Sequence, residues 1–227
     1  MGYSVAIDGP AGAGKSTIAK QIARKLDFIY VDTGAMYRAM AYYLLQNHVD
    51  ASDTAAIDVK CREADIRIRY ENKEQQVWLN GENVNGMIRT EEVGNMASAS
   101  SVNPNVRAKL VELQRKMAET DNVIMDGRDI GTTVLPNADV KIYLTAGSHV
   151  RARRRYEELK EKGTICDLET IERDIIERDE RDMNREMSPL RQAEDAVLVD
   201  SSDMTVEEVL GTIEEVIRED RGRKGLL

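Results

Sequence analysis

Short apolar runs alternate with longer segments of helical period along most of the chain. The runs are rich in valine and isoleucine, and the segments between them carry apolar residues three and four positions apart, as amphipathic helices do. Such alternation is typical of β-α-β units around a parallel sheet. We therefore predict a three-layer α/β fold with a five-stranded parallel core sheet, whose strands lie at residues 4–8, 28–32, 122–126, 140–144 and 196–200.

Two segments show the helical period most clearly, one after the first predicted strand and one near the end of the chain. The first has its apolar residues at Ile18, Ala19, Ile22, Ala23 and Leu26. The second has them at Val206, Val209, Leu210, Ile213 and Ile217. Both stripes are predicted to be buried against the sheet as core, and they indicate no chemistry.

The alternation is interrupted between the second and third predicted strands. There, apolar and polar residues alternate from Ile66 to Tyr70, and Asn80-Gly81 is a strong signal for a two-residue hairpin turn. We predict a small antiparallel insertion at residues 64–88. The pattern alone leaves open whether this is a surface hairpin without function or a functional flap.

Composition is that of a globular chain, with 41% hydrophobic and 32% charged residues among 227. The formal net charge of −9 argues against broad nucleic-acid binding, which depends on an excess of lysine and arginine. Neither a signal peptide nor a membrane span is predicted, because no apolar stretch is long enough. The few cysteines and histidines form neither a metal-binding pattern nor a disulfide framework. We therefore expect a cytoplasmic monomer that binds neither nucleic acid nor membrane.

The strongest chemical signal follows the first predicted strand and opens the first predicted helix. It matches the phosphate-binding pattern G-x-x-x-x-G-K-(S/T) and consists of Gly9, Pro10, Ala11, Gly12, Ala13, Gly14, Lys15, Ser16 and Thr17. Its glycines let backbone N–H groups point at a polyphosphate such as that of ATP, and the helix N-terminus adds a positive dipole. Lys15 is expected to reach the β and γ phosphates, and Ser16 to bind Mg²⁺. The alternative is a glycine-rich turn with an incidental lysine.

Polar residues follow two further predicted strands, at the edge where open α/β sheets bind ligands. One block spans residues 32–38 and the other residues 126–132. Asp126 follows an apolar strand as a Mg²⁺-side carboxylate does in P-loop proteins, acting through water. Arg38 and Arg128 are candidates to hold a second phosphate group.

Each block has a simpler explanation. Asp32 or Thr33 could cap the next helix, and this alternative stays open. Asp-Thr-Gly also occurs in aspartic proteases, but that chemistry needs two such carboxylates and the chain has one copy. The charged residues at 126–129 are harder to dismiss, because crowding them at a strand end without a ligand is costly.

A third cluster lies on a long polar helix predicted at residues 170–187. Arg178, Arg181 and Arg185 stand three and four positions apart and would share one face, with Asp182 beside them. Neighbouring acidic residues leave open that this is only a solvated face with ion pairs. An earlier run of arginines is interpreted mostly as exposed helix charge and comprises Arg151, Arg153, Arg154 and Arg155.

Together these blocks resemble the bacterial cytidylate kinases over nearly the whole chain. The blocks are residues 9–17, 32–38, 126–132 and 177–185, and residues 87–93 are similar to the family as well. Their order and spacing are far more specific than the P-loop, which many unrelated proteins share. The resemblance implies a P-loop NTPase fold of the nucleoside monophosphate (NMP) kinase type.

The resemblance also implies how the chain is organised, as one NMP kinase unit over residues 1–227. Its core is expected at residues 1–35, 120–150 and 190–227. An NMP-binding region with the hairpin insertion is expected at about 36–119, and a helical lid at about 151–189.

Site residues are implied one by one from the matching motifs. Those implied to hold the CMP phosphate are Arg38, Arg128 and Arg178. Those implied to read cytosine are Ser98, Arg107, Asp182 and Arg185. Those placed near the acceptor nucleoside are Asp32, Tyr37 and Asp129. The lid groups near the ATP phosphates would be Arg154 and Arg181, and the catalytic set would be Lys15, Arg128, Asp129 and Arg178.

The chemistry of cytosine agrees with these assignments, since its 4-amino donor lies beside acceptors at N3 and O2. A carboxylate such as Asp182 and a guanidinium such as Arg107 or Arg185 could match that edge. We therefore predict phosphoryl transfer from ATP, with Mg²⁺, to CMP or dCMP. Two alternatives stay open: a P-loop kinase for UMP, AMP or a small hydroxyl compound, and a nonenzymatic ATP-binding regulator.

Overall fold

The structure is a computed structural model that describes residues 2–72 and 74–226. Met1 and Leu227, the ends of the predicted kinase unit, and Lys73 in the predicted insertion lie outside the described residues. Within the described ranges, no helix combines the length and apolar character needed to span a bilayer.

The secondary structure alternates as the sequence pattern predicts. The strands are β1 (Ser4–Asp8), β2 (Ile29–Asp32), β3 (Ile66–Glu71), β4 (Glu74–Leu79), β5 (Glu82–Asn83), β6 (Val123–Gly127), β7 (Val140–Thr145) and β8 (Val197–Asp200). The α-helices are α1 (Lys15–Leu26), α2 (Thr33–Gln46), α3 (Thr54–Glu63), α4 (Glu91–Ser100), α5 (Pro104–Thr120), α6 (Ser148–Glu161), α7 (Leu168–Asn184) and α8 (Val206–Arg223). A short π-helix, Ile130–Val134, follows β6.

Strands β2, β6, β1, β7 and β8 lie side by side in that order and form a five-stranded parallel sheet. The five predicted core strands are confirmed, each to within one residue at either end. The register places Asp32 of β2 beside Asp126 of β6, and Asp8 of β1 beside Gly127. The strand ends that carry the predicted motifs therefore meet at one edge of the sheet.

The two predicted apolar stripes belong to α1 and α8, which share one core with the sheet. Leu26 is only partly buried but packs against this core, and the other residues of the α1 stripe are buried. Val206 is 44% exposed, so its assignment to the core was wrong. It is the first residue of α8, directly after the Thr205 cap, and at this helix end it faces solvent.

The predicted insertion is an antiparallel sheet of β3, β4 and β5. Asn80 and Gly81 join β4 to β5 with φ of 49° and 88°, as a type I′ turn requires. The Gln75 side chain accepts from the backbone N–H of Asp32 at 2.8 Å and donates to its carbonyl at 3.0 Å. The insertion is therefore attached to the end of β2, at the edge of the main sheet where the strands that carry the predicted motifs end.

The long polar helix is α7, which ends before Arg185 instead of continuing to Met187. Arg185 has an extended backbone, with φ of −66° and ψ of 141°, and its Nε donates to the Ser188 carbonyl at 2.6 Å. The prediction that it extends a helical face with Arg178 and Arg181 was wrong. Because the chain turns here, the Arg185 side chain points inward and is 6% exposed.

The arginine run of α6 is exposed at Arg153 and Arg155 but buried at Arg151. The interpretation as exposed charge therefore holds for Arg153 and Arg155 but not for Arg151. Its Nη1 lies 2.6 Å from Asp179 Oδ2 on α7 and donates to the Ala11 carbonyl at 3.0 Å. Burial is tolerated because a carboxylate and backbone carbonyls satisfy the guanidinium. Arg151 thus ties α6 and α7 to the glycine-rich segment.

Candidate active site

The glycine-rich segment wraps the N-terminus of α1 at the carboxyl edge of the sheet. Gly14, with φ of 86°, is the N-cap of α1. Gly9 passes so close to β7 that a Cβ there would lie 1.9 Å from a backbone carbonyl oxygen. Lys15 is buried, and its Nζ donates to the Pro10 carbonyl at 2.7 Å. Burial, and then the charge of Arg128, lower the pKa of Lys15, so an anion placed here would stabilise its ammonium form.

Both predicted metal-binding side chains lie together beside this loop. Ser16 Oγ donates to Asp126 Oδ2 at 2.8 Å, and the Tyr30 hydroxyl donates to Oδ1 at 2.8 Å. Thr33 Oγ1 donates to the backbone carbonyl of Asp126 at 2.7 Å. Burial, and then the charge of Asp32, raise the pKa of Asp126. One hydroxyl and one carboxylate fit Mg²⁺, which keeps several waters and takes its remaining ligands from phosphates.

The three predicted phosphate-binding arginines and Lys15 form a cluster of four cations. Burial and then the charge of Arg128 lower the pKa of Arg178 to about 10, and Arg38 adds to this effect. Arg128 also acts on Lys15, so the four cations lie within electrostatic reach of one another. Among the described residues Arg38 has no carboxylate partner, and its hydrogen bond to the Ile88 carbonyl is long, at 3.5 Å. Among the described residues, only Arg128 of these four cations forms an ion pair, with Asp182, so the cluster suits an anion.

A second charged group, centred on Asp129, lies at the end of β6. Arg107 of α5 pairs with Asp129 Oδ2, and Arg185 Nη2 lies 3.5 Å from Oδ1. All three side chains are at most 7% exposed. The Arg107 guanidinium lies 5.7 Å from the centre of the Tyr37 ring. The structure therefore brings together four of the residues placed with the acceptor nucleoside and its base.

Asp182 of α7 interacts with both the cluster of four cations and the group around Asp129, since its charge also acts on Arg185. Its Oδ2 accepts from Arg128 Nε at 3.0 Å, so the carboxylate predicted to read cytosine is held by a predicted phosphate-binding arginine. Ser98 lies one turn after Gly94 on α4, and Gly94 packs against the Arg38 guanidinium. Ser98 thus shares the helix face that contacts Arg38.

Several of these side chains have unused hydrogen-bonding capacity. Buried polar atoms without a hydrogen-bond partner in the described part of the chain include Ser98 Oγ, Arg178 Nε and Arg185 Nη2. Buried polar atoms in folded proteins are nearly always bonded, so such a group of exceptions suits a site that takes a polar ligand.

Asp32 acts as the cap that the sequence left as an alternative, because its Oδ1 accepts from Ala35 N at 2.9 Å. Its Oδ2 accepts from Arg89 Nη2 at 2.6 Å. Sequence reasoning missed Arg89. The available signal was its place in the block at residues 87–93, which resembles the family without indicating a role for this arginine.

Asp8 was also missed. Its two carboxylate oxygens accept from Ile130 N and Gly131 N, each at 2.7 Å. Burial raises the pKa of Asp8 to about 6, even though both amides favour the carboxylate. Asp8 therefore fastens the chain just after Asp129 to the strand that carries the P-loop. Its position at a strand end, directly before that loop, was the signal that could have revealed it.

The two predicted lid arginines lie in different surroundings. Arg154 of α6 donates to the Ser201 carbonyl at 2.7 Å and to Ser201 Oγ at 3.2 Å, next to the end of β8. Arg181 of α7 is exposed, and its charge contributes to the lowered pKa of Arg178. Of these two arginines, only Arg181 is thereby placed near the cluster of four cations.

Comparison with known proteins gives consistent matches. A family model described as cytidylate kinase matches residues 5–219. The cytidylate kinase of Lactobacillus gasseri is 50% identical over 214 residues, covering 94% of this chain and 93% of that protein. The cytidylate kinase of Carboxydothermus hydrogenoformans is 48% identical over 220 residues, covering 97% of each chain.

A solved structure of an uncharacterized protein from Eubacterium ventriosum is similar in fold, with a TM-score of 0.51 and 14% identity. The match covers 96% of this chain and 99% of that one. At this identity the likeness concerns the fold alone.

Proposed function

The chain belongs to the cytidylate kinase family, and from this membership we propose that it transfers the terminal phosphoryl group of ATP to CMP or dCMP. The products are ADP and CDP or dCDP. The observation that supports this most directly is the cluster of three arginines near the P-loop lysine, in which, among the described residues, only Arg128 forms an ion pair with a carboxylate. Such a site suits the meeting of two polyanions.

ATP is the proposed ligand of the P-loop. Its phosphates would accept from the amides of residues 9–17 and from Lys15, whose buried ammonium is bonded to the Pro10 carbonyl and forms no ion pair in the described part of the chain. Ser16 and Asp126 would hold Mg²⁺, directly or through water. When bound, Mg²⁺ supplies a positive charge that neutralises the transferring phosphates.

CMP is the proposed ligand of the three arginines and of the group around Asp129. Its phosphate would lie among Arg38, Arg128 and Arg178. Its base would meet Ser98 Oγ and Arg185 Nη2, which have no hydrogen bond in the described part of the chain, together with the Asp182 carboxylate, which can accept from the 4-amino group of cytosine. Uracil carries a carbonyl at that position, so one mismatch would disfavour UMP by roughly 1–3 kcal/mol.

The reaction requires alignment of the two substrates and neutralisation of their negative charge, and it needs no strong base. The attacking atom is a phosphate oxygen of CMP, which is largely deprotonated at neutral pH. Lys15 and the three arginines would compensate the charge that both substrates bring. Helices α6 and α7, tied to the P-loop by Arg151, would form a lid over the site that excludes water and prevents hydrolysis of ATP.

We also propose the domain organisation that the family resemblance implies. Residues 1–35, 120–150 and 190–227 would form the core, residues 36–119 the NMP-binding region, and residues 151–189 the lid. We expect a monomer that acts in the cytoplasm.

A coupled assay that reports ADP formation tests the proposal, with ATP and Mg²⁺ and with CMP, dCMP, UMP or AMP as acceptor. CMP and dCMP should give the highest kcat/KM, and CDP should be the product. Equal kcat/KM for AMP and CMP would contradict the cytosine assignment. No CDP from any acceptor would contradict the kinase assignment.

Gly94→Ala tests the placement of Arg38. A Cβ at position 94 would lie 3.1 Å from Arg38 Nη1, and the flexible arginine is what would move. We expect KM for CMP to rise about tenfold, because a small misplacement of a phosphate-binding group is costly. Stability should be unchanged or raised by about 0.5–1 kcal/mol, since alanine favours a helix.

Gly211→Ala is the matched control, because a Cβ at position 211 of α8 would meet nothing within 4 Å. This variant should show the stability change alone. A KM for CMP that is the same in Gly94→Ala as in the parent would mean that Arg38 does not hold the acceptor.

A further inference from the structure

Asp32 is the point where the insertion, the main sheet and the site meet. Its Oδ1 caps α2, and its backbone is bonded on both sides by Gln75 of the insertion. Its Oδ2 is bonded by Arg89, which lies between the insertion and α4. Every polar atom of Asp32 therefore has a structural partner, and its charge is fixed in position.

That fixed charge lies at an unfavourable place for a site that receives two polyanions. Asp32 is the register neighbour of Asp126, and the charge of Asp32 disfavours a second carboxylate there. Left uncompensated, it would also weaken the attraction between Arg38 and an anion. Two negative groups so close to the phosphate position need a counter-charge that is not itself taken up by the phosphate.

Arg89 has the geometry of that counter-charge. Its Nη2 lies 2.6 Å from Asp32 Oδ2, and 57% of its side chain is exposed. Burial lowers the pKa of Arg89, but the charge of Asp32 and the hydrogen bond to it, together with the charges of Tyr30 and Asp126, raise it further than burial lowers it. The same guanidinium is the strongest charged neighbour of Arg38. Arg89 thus bonds the carboxylate that it neutralises, and its charge also acts on Arg38.

We propose that Arg89 is a positioning residue of the acceptor site, which neutralises Asp32 so that the acceptor phosphate can bind at Arg38. This inference rests on the proposed function and deepens it. Arg89 acts through Asp32 and does not need to touch the substrate. Its removal should therefore affect acceptor binding through charge, with little effect on the chemical step.

Arg89→Gln is the first variant, because it removes the charge and keeps a polar side chain. KM for CMP should rise about tenfold, as expected for one uncompensated charge at a partly screened site. KM for ATP and kcat should change by less than about threefold, since the P-loop lies outside the pair. Arg89→Lys keeps the charge and should recover most of the affinity.

The decisive measurement repeats Arg89→Gln in an Asp32→Asn background. Asparagine keeps the oxygen that caps α2 and removes the charge that Arg89 is proposed to neutralise. Whatever Asp32→Asn does alone, adding Arg89→Gln to it should change KM for CMP by less than about twofold. An undiminished tenfold effect in this background would overturn the proposal and would assign Arg89 to the phosphate itself.

Arg218→Gln is the matched control, because it removes an exposed arginine from an ion pair with Glu215, 2.9 Å away on α8, a helix that carries none of the proposed site residues. It should leave both KM values unchanged. Thermal unfolding of each variant separates loss of fold from loss of affinity. Equal KM for CMP in the parent and in Arg89→Gln would refute this inference and leave the proposed kinase activity unaffected. A parent that forms no CDP would refute the proposed function itself.

Discussion

Lys15→Ala is expected to lower kcat for CDP formation by at least about 10²-fold. The ammonium of Lys15 is buried and bonded to the Pro10 carbonyl, and the charges around it include Arg128, Asp126 and Asp8. In a site with so little solvent, a contact to the β and γ phosphates is worth much more than in water, and alanine removes it entirely. Initial rates at saturating ATP and CMP would measure the loss.

Binding of CMP should survive in this variant, since the acceptor arginines remain, and calorimetry can verify it. Lys25→Ala is the control, because Lys25 forms an exposed ion pair with Glu214 at 2.6 Å in the last turn of α1, at the opposite end from Lys15. It should keep the parental rate. A Lys15→Ala enzyme within about tenfold of the parent would refute the proposed role of this lysine.

The second large effect is expected for Asp129→Ala. This substitution leaves Arg107 and Arg185 buried without the carboxylate between them. Removing one partner from a buried charged group is costly, so the free energy of unfolding should fall by about 3–5 kcal/mol. KM for CMP should rise as well, because both arginines are proposed to lie at the base. Urea unfolding and the coupled assay would measure the two effects.

Asp129→Asn keeps the shape and should show a smaller loss of stability in the same direction. Glu112→Ala is the control, because Glu112 and Lys116 form an exposed ion pair at 2.6 Å on α5, and such pairs contribute about 0–1 kcal/mol. If Asp129→Ala costs no more than this control, the charges around Asp129 are not buried as the structure places them.

The strands could be predicted because each core strand is a short run of apolar residues with polar neighbours. That signal is local, and packing changed no more than one residue at a strand end. Val206 shows a limit of predicting burial from helical spacing, because the spacing does not indicate that the first residue of α8 lies outside the core. Arg185 shows another, because the chain leaves the helix where a bond to Ser188 and burial beside Asp129 favour a turn.

The motifs of the candidate site could be predicted from the sequence, but the contacts of the individual side chains could not. The P-loop and the pair Ser16 and Asp126 follow from contiguous motifs at strand ends. The burial of Arg151 could not be predicted, because its partner Ala11 lies 140 positions away, and no local pattern distinguishes a buried arginine from an exposed one. Arg89 and Asp8 were missed for the same reason, since their roles depend on Asp32 and on the chain after Asp129.

By itself the sequence determined the order of strands and helices, the phosphate-binding loop and the family, because each of these depends on neighbours along the chain. Only the tertiary structure decided which charges are buried and which carboxylate each arginine contacts. The free energy of a buried charge depends on groups brought close by folding, and these are contributed by distant segments.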